Sequence, residues 1–170
     1  MFNFLKKLFH LPKRIENSRK VIEISSISDN FKVHHLNHII VESEDEIDYY
    51  WEYGGNIPIQ ELLQKFSKED WLDLKEDIKN WKSHQLTILA DAILCEKSFT
   101  GYDVYLMYGY IFLIVNDSDA EILIGNIHVL GYGNQKADNF FPDILLRIEN
   151  ISSIDQDSKN FYVSIINSLM

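Results

Sequence analysis

A chain of 170 residues carries 26 Asp and Glu against 16 Lys and Arg, a formal net charge of −10, at a length that suits one domain. Hydrophobic residues make up 46% and aromatics 13%, enough to bury a core, which argues against disorder along the whole chain. A pI near 4.9 has the wrong sign for a protein that displaces counterions from phosphates, so no direct binding of nucleic acid is expected.

The charge is unevenly spread. Residues 1–20 hold six basic side chains, Lys6, Lys7, Lys13, Arg14, Arg19 and Lys20, against Glu16 alone, a net +5. The other 150 residues hold ten basic and 25 acidic side chains, a net −15. The leader, Met1-Phe-Asn-Phe-Leu-Lys-Lys-Leu-Phe-His-Leu-Pro12, breaks its apolar run with lysines and has no small-residue cleavage site, unlike a signal peptide. It reads as a basic amphipathic segment that docks on its own domain through Phe2, Phe4, Leu5, Leu8 and Phe9. Peripheral association with a membrane is the alternative. No run approaches the roughly 18 apolar residues of a membrane span. The lone Cys95 cannot form an internal disulfide, which suits a reducing cytoplasm; set in an apolar run, it is expected to be a small core residue rather than a nucleophile.

Residues 21–170 read as a single domain. Residues 13–35 are mixed and weakly periodic. A short apolar patch, Leu36 with Ile39, Ile40 and Val41, leads into an acidic run, Glu42, Glu44, Asp45, Glu46 and Asp48, followed by Tyr49, Tyr50, Trp51, Glu52 and Tyr53 and a break at Gly54-Gly55. From about residue 58 the signals are helical. Pro58 suits a first turn, and Ile59, Leu62, Leu63 and Phe66 fall at helical spacing. Ser67 with Asp70 three residues on has the form of a capping box. The helix it starts places Trp71, Leu74, Ile78 and Trp81 on one face and Glu69, Asp73, Glu76 and Asp77 on the other. Ser83 is read as the cap of a further helix, with Leu86, Leu89, Ala90, Ile93 and Leu94 inward and Ile88, Ala92 and Cys95 on a second covered side.

Residues 102–115 admit two readings. Their aromatic and β-branched content suits strand, with Tyr108-Gly109 as a hairpin turn; a helix buried all round also explains them. Helical neighbours on both sides decide for helix. Asn116 to Asp119 cap the next helical pattern, which runs to Leu130, and a turn follows at Gly131 to Asn134. Phe141, Ile144, Leu145 and Ile148 then repeat at helical spacing with Pro142 in the first turn, and Ser158 is read as the start of a last helix. The expected fold is mainly α, short antiparallel helix pairs stacked as a small HEAT- or armadillo-like α-solenoid, with α+β and a hairpin at 102–115 as the alternative.

Chemical motifs are sparse. His34, His35 and His38 offer a His-x-x-x-His pair for a metal, but His35 stands where the usual catalytic helix has Glu. Gly131-Tyr-Gly133 lacks the third glycine of a phosphate loop, and no Gly-x-Ser-x-Gly elbow occurs. No catalytic residue, metal site or cofactor is therefore expected, and the chain is read as a non-enzyme. The acidic run interleaved with Tyr49, Tyr50 and Trp51 is instead a candidate docking surface. Carboxylates steer a basic partner and aromatics anchor it. The acidic face Asp73, Glu76 and Asp77 is a second candidate.

The string Ser67-Lys-Glu-Asp-Trp71 … Asp77-Ile-Lys-Asn-Trp81-Lys-Ser-His-Gln-Leu86-Thr-Ile-Leu-Ala-Asp-Ala-Ile-Leu94, with Ile111-Phe-Leu-Ile-Val … Asp119-Ala-Glu-Ile-Leu, resembles the small acidic helical immunity proteins of bacterial polymorphic and contact-dependent toxin systems. The resemblance spans about residues 58–150, rests on capping and core positions and carries over no catalytic residue. It implies a cytoplasmic, non-enzymatic inhibitor of one cognate toxin. The acidic body makes a basic, nuclease-like toxin the expected partner. A general helical-repeat adaptor is the alternative.

Overall fold

The computed structural model describes residues 23–44, 56–95, 102–133 and 140–170. The basic leader and the stretch from Asp45 to Glu52 lie outside the described residues. Within them the chain is mainly helical, and no strand occurs among the described residues. Eight α-helices are described: α1 (Phe31–Ser43), α2 (Ile57–Leu63), α3 (Lys68–Asp77), α4 (Ser83–Cys95), α5 (Val104–Ile114), α6 (Asp117–Ile124), α7 (Phe141–Asn150) and α8 (Gln156–Leu169). Short 3₁₀ turns follow α3 at Ile78–Asn80 and α6 at Ile127–Tyr132. No helix among the described residues is long and apolar enough to cross a membrane.

Side-chain caps set most helix starts, by accepting from backbone N–H groups that have no partner inside the helix. Asn30 accepts from Lys32 and Val33, Asp103 from Tyr105 and Leu106, and Asn116 from Asp119. At α3 the capping box is complete. Ser67 Oγ accepts from the Asp70 N–H at 3.2 Å, and Asp70 Oδ2 accepts from the Ser67 N–H at 2.7 Å. Two expected starts are corrected. Ser83 is the first residue of α4 rather than its cap; its hydroxyl accepts from the N–H of Asn116, and Gln85 Oε1 satisfies the Lys82 N–H. The last helix starts at Gln156, capped by Asp155, whose carboxylate takes both the N–H and the hydroxyl of Ser158. Ser158 is the third residue of that helix and donates to the cap, a position that sequence spacing confuses with the cap itself.

Helix α5 lies at the centre. Met107, Tyr108, Ile111 and Phe112 are fully buried, so residues 102–115 take the helical reading and not the hairpin. α5 packs on α4, α6, α7 and the 3₁₀ turn before Gly133. On one side, α4 carries the contacts on to α1, α2 and α6; on the other, α7 meets α8. The core runs through every described element, from Val33 and Leu36 through Trp71, Leu74, Leu89 and Ile93 to Ile144, Ile148 and Ile166. Trp71 is wholly buried, edge-on to Phe66 and stacked on Tyr102 at 5.7 Å. Cys95 departs from its expected place: it sits exposed as the last residue of α4. Partial desolvation of the thiol and the nearby Asp91 push the Cys95 pKa up.

Residues 23–30, where periodicity is weak, form an extended strap. Asn37 on α1 is fully buried, and its Oδ1 accepts from the N–H groups of Ser25 at 2.8 Å and Ser26 at 3.1 Å. An extended segment without a sheet must find backbone partners among side chains, and these supply them.

Candidate functional site

The strap, the start of α1 and the outer side of α3 make one continuous surface. Asn30 Nδ2 donates to Asp70 Oδ1 at 2.9 Å and to Asp73 Oδ2 at 2.8 Å, so the first turn of α1 is tied to α3. Lys32 completes the tie, its Nζ 2.6 Å from Asp70 Oδ2 and 2.8 Å from the Lys65 carbonyl. Burial works against a charge on Asp70, but hydrogen bonds from Lys32, Asn30 and Ser67 outweigh it and hold its carboxyl far below the ordinary range.

Asp77 is the second anchor. The amphipathic pattern places it with the solvated carboxylates, yet it is buried, and this corrects that reading. One oxygen accepts from the indole Nε1 of Trp81 at 2.9 Å and the other from the N–H of Ile27 at 3.0 Å. Asp77, seven residues after the buried Asp70, lies on the edge of the buried face of α3, and the strap that crosses the helix end covers it.

Between strap and helix lies a groove of about 220 Å³ lined by Ile27, Ser28, Asp73, Glu76, Asp77 and Asn80. Asp73 and Glu76 are exposed on its rim. Glu76 pairs with Lys79 one turn on, a contact that lowers its pKa. Two large apolar side chains stand in the open beside these carboxylates: Ile27 is 75% exposed and Phe31 78% exposed, with the Phe31 ring stacked on His35. Leu72 is also exposed. Strap, groove and acidic rim therefore combine exposed apolar side chains with negative charge.

The other expected site residues separate from this surface. Glu42 and Glu44 lie at the far end of α1, Glu42 twelve residues beyond Asn30, about 18 Å at 1.5 Å per residue. Glu42 is exposed and faces His38, Oε2 to Nδ1 at 3.3 Å. Glu44 is mostly covered; one of its oxygens takes Gln85 Nε2 at 2.6 Å and approaches His84 Nε2 at 3.1 Å, so it joins the end of α1 to α4. Asp45, Glu46, Asp48, Tyr49, Tyr50, Trp51 and Glu52 lie outside the described residues. His34 and His35 are exposed on α1 beside the half-exposed His38. Among the described residues no group of three or more His, Cys, Asp or Glu side chains is placed to hold a metal ion.

Ile27, Asn30 and Phe31 did not stand out in the sequence. The signal was present: Asn30 precedes Val33, Leu36, Asn37 and Ile40, an N-cap followed by residues three, four and seven apart. A scan against protein-family models, a search of curated proteins and a search of solved structures each found no match to this chain.

Proposed function

We propose that this chain is a non-enzymatic immunity protein that binds and neutralises a cognate basic, nuclease-like bacterial toxin in the cytoplasm. The observation that carries the reading is the strap–α3 surface, where exposed Ile27 lines a groove rimmed by Asp73 and Glu76 and exposed Phe31 follows Asn30, which is bonded to Asp73. A net charge of −15 outside the first 20 residues supports it, because long-range attraction speeds the encounter with a basic protein. The likeness to immunity proteins at capping and core positions points the same way. In this reading the carboxylates occupy positions that phosphates would take in a nuclease cleft, while Phe31 and Ile27 lose their exposure to water. The helices form antiparallel pairs stacked as a small HEAT- or armadillo-like array. The order in which elements touch, α1 to α4 to α5 to α7 to α8, supports that arrangement.

The test is co-purification of the full chain with the product of the adjacent gene, followed by protection from its toxicity in cells. Glu76→Lys with Phe31→Ala leaves the anchoring residues Asp70 and Asp77 intact. It is expected to weaken binding at least about tenfold, and the wild-type complex to weaken as salt rises. A neighbour without a toxin domain, or toxicity undiminished by the chain, ends the immunity reading. A captured partner that is not a toxin leaves a helical adaptor in its place.

A further inference from the structure

A second cavity, of about 360 Å³, opens between α4, α5 and α6, away from the strap. Ile88 and Leu94 from α4 and Ile122 and Leu123 from α6 give it aliphatic wall, with Thr87, Asp91, Tyr108 and Asn126 between them. Ile122 is 66% exposed, a large apolar side chain left in water at the cavity's edge. The volume lies at the small end of the range for ligand pockets, which combine apolar walls with a few polar groups.

The polar groups decide what it accepts. Both hydroxyls in the wall are spent within the protein: Tyr108 donates to the Leu123 carbonyl and Thr87 to the His84 carbonyl. Neither has a hydrogen left for an anion. Asp91, one carboxylate on the α4 side, supplies the charge. Its Oδ2 accepts from Asn56 Nδ2 at 2.7 Å, and among the described residues no Lys, Arg or His forms an ion pair with it. Asp91's field reaches into the cavity, since it adds to the burial that raises the Tyr108 hydroxyl's pKa. A slot whose polar lining offers one carboxylate without an ion-pair partner among the described residues, the neutral amide of Asn126 and no free hydroxyl donor favours a single positive charge on a hydrocarbon body.

We infer that this cavity is a binding site for a small primary amine with an apolar body, its ammonium on Asp91 and its hydrocarbon between Ile88, Leu94, Ile122 and Leu123. The site is separate from the strap–α3 surface and does not depend on the toxin reading.

The experiment is titration of the full chain with n-butylamine, n-hexylamine and n-octylamine, read by calorimetry and by the methyl resonances of Ile88 and Ile122, with n-hexanoate as the anion of matching length. Saturable binding is expected, tightening roughly threefold to fourfold for each methylene added until the cavity is filled, with shifts at both isoleucines. Hexanoate is expected not to bind. Asp91→Asn keeps an acceptor for Asn56 and is expected to weaken amine binding about tenfold. Asn126→Trp, at an exposed position of the lining, is expected to fill the opening and abolish binding with the fold unchanged by circular dichroism. Three outcomes would each overturn the inference: no saturable binding at millimolar amine, equal binding of amine and hexanoate, or undiminished binding in the folded Asp91→Asn protein.

Discussion

Gly109 shows how one residue can carry two structural messages. Next to Tyr108 it reads as a hairpin turn. In the structure it is a helical residue over which an aromatic ring closes: a Cβ built there would lie 2.4 Å from Phe140 Cε2 and 2.8 Å from its Cζ. Phe140 is itself wedged, stacked on Tyr110 at 5.7 Å and on Phe141 at 5.5 Å, so the ring cannot swing away cheaply. Gly109→Ala would gain helix propensity, about 1 kcal/mol, yet it should destabilise the protein by about 1–3 kcal/mol net through overpacking. Urea denaturation checks the sign: a stabilised Gly109→Ala protein would mean that the ring yields. Asp77 makes the parallel case for polar residues. Asp77→Ala strands the Trp81 indole N–H and the Ile27 N–H, and a loss of about 2–4 kcal/mol is expected, with the strap released. Hydrogen exchange should quicken at Ile27 while the α5 amides keep their order of protection; uniform loosening would count against a local anchor.

At the scale of elements, the capping box of α3 was readable from Ser67 and Asp70 because both partners lie within four residues of sequence. Ser67→Ala should cost about 1 kcal/mol, since only one acceptor is lost and the helix stays buried by Trp71 and Leu74. A chemical denaturation midpoint that does not move would show the cap to be redundant. The same local logic failed at Ser83 and Ser158, where a serine stands inside the first turn instead of before it. Local spacing also could not show that Asp70 works for two elements at once. Its carboxylate caps α3 and holds Asn30 and Lys32 of the α1 start, which lie about forty residues away. Arg147 behaves alike. On α7, it reaches Asp117 at the start of α6 and the Val115 carbonyl at the end of α5, and Asp117 also takes Ser152.

At the scale of the whole molecule, these carboxylates couple folding to pH. Burial opposes ionisation of Asp70, but the hydrogen bonds from Lys32, Asn30 and Ser67 win, so its pKa is lower folded than unfolded. Hydrogen bonds from Ser152, then Arg147, lower Asp117, and those from Ser158 lower Asp155. A group depressed in the folded state contributes stability that is fully present above its unfolded value, about pH 4, and is lost as the pH falls below it. Stability should therefore be flat from near neutrality down to about pH 5 as far as these three groups are concerned, and fall toward pH 2. Asp70→Asn should be less stable at neutral pH and show a shallower acid slope. Denaturation midpoints across that range measure both, and an unchanged slope would show that Asp70 is not among the groups responsible.

The sequence by itself determined the mainly helical class, the positions of most helices and the negative body. These follow from periodicity, caps and composition, all of which act within a few residues. It also contained Asp73 and Glu76 as exposed carboxylates. Tertiary structure alone decided which acids face out. Asp77 and Glu44 turn inward because the strap and α4 offer them donors that lie far along the chain, and Glu42 lies at the far end of α1 from Asn30, which binds Asp73. It alone decided that Ile27 lines a groove with the acidic rim, and that Asp91 fronts a cavity made by three helices. A surface is assembled from residues that share space and not sequence. Its chemistry is fixed only when packing has chosen which polar groups find partners and which are left to face water.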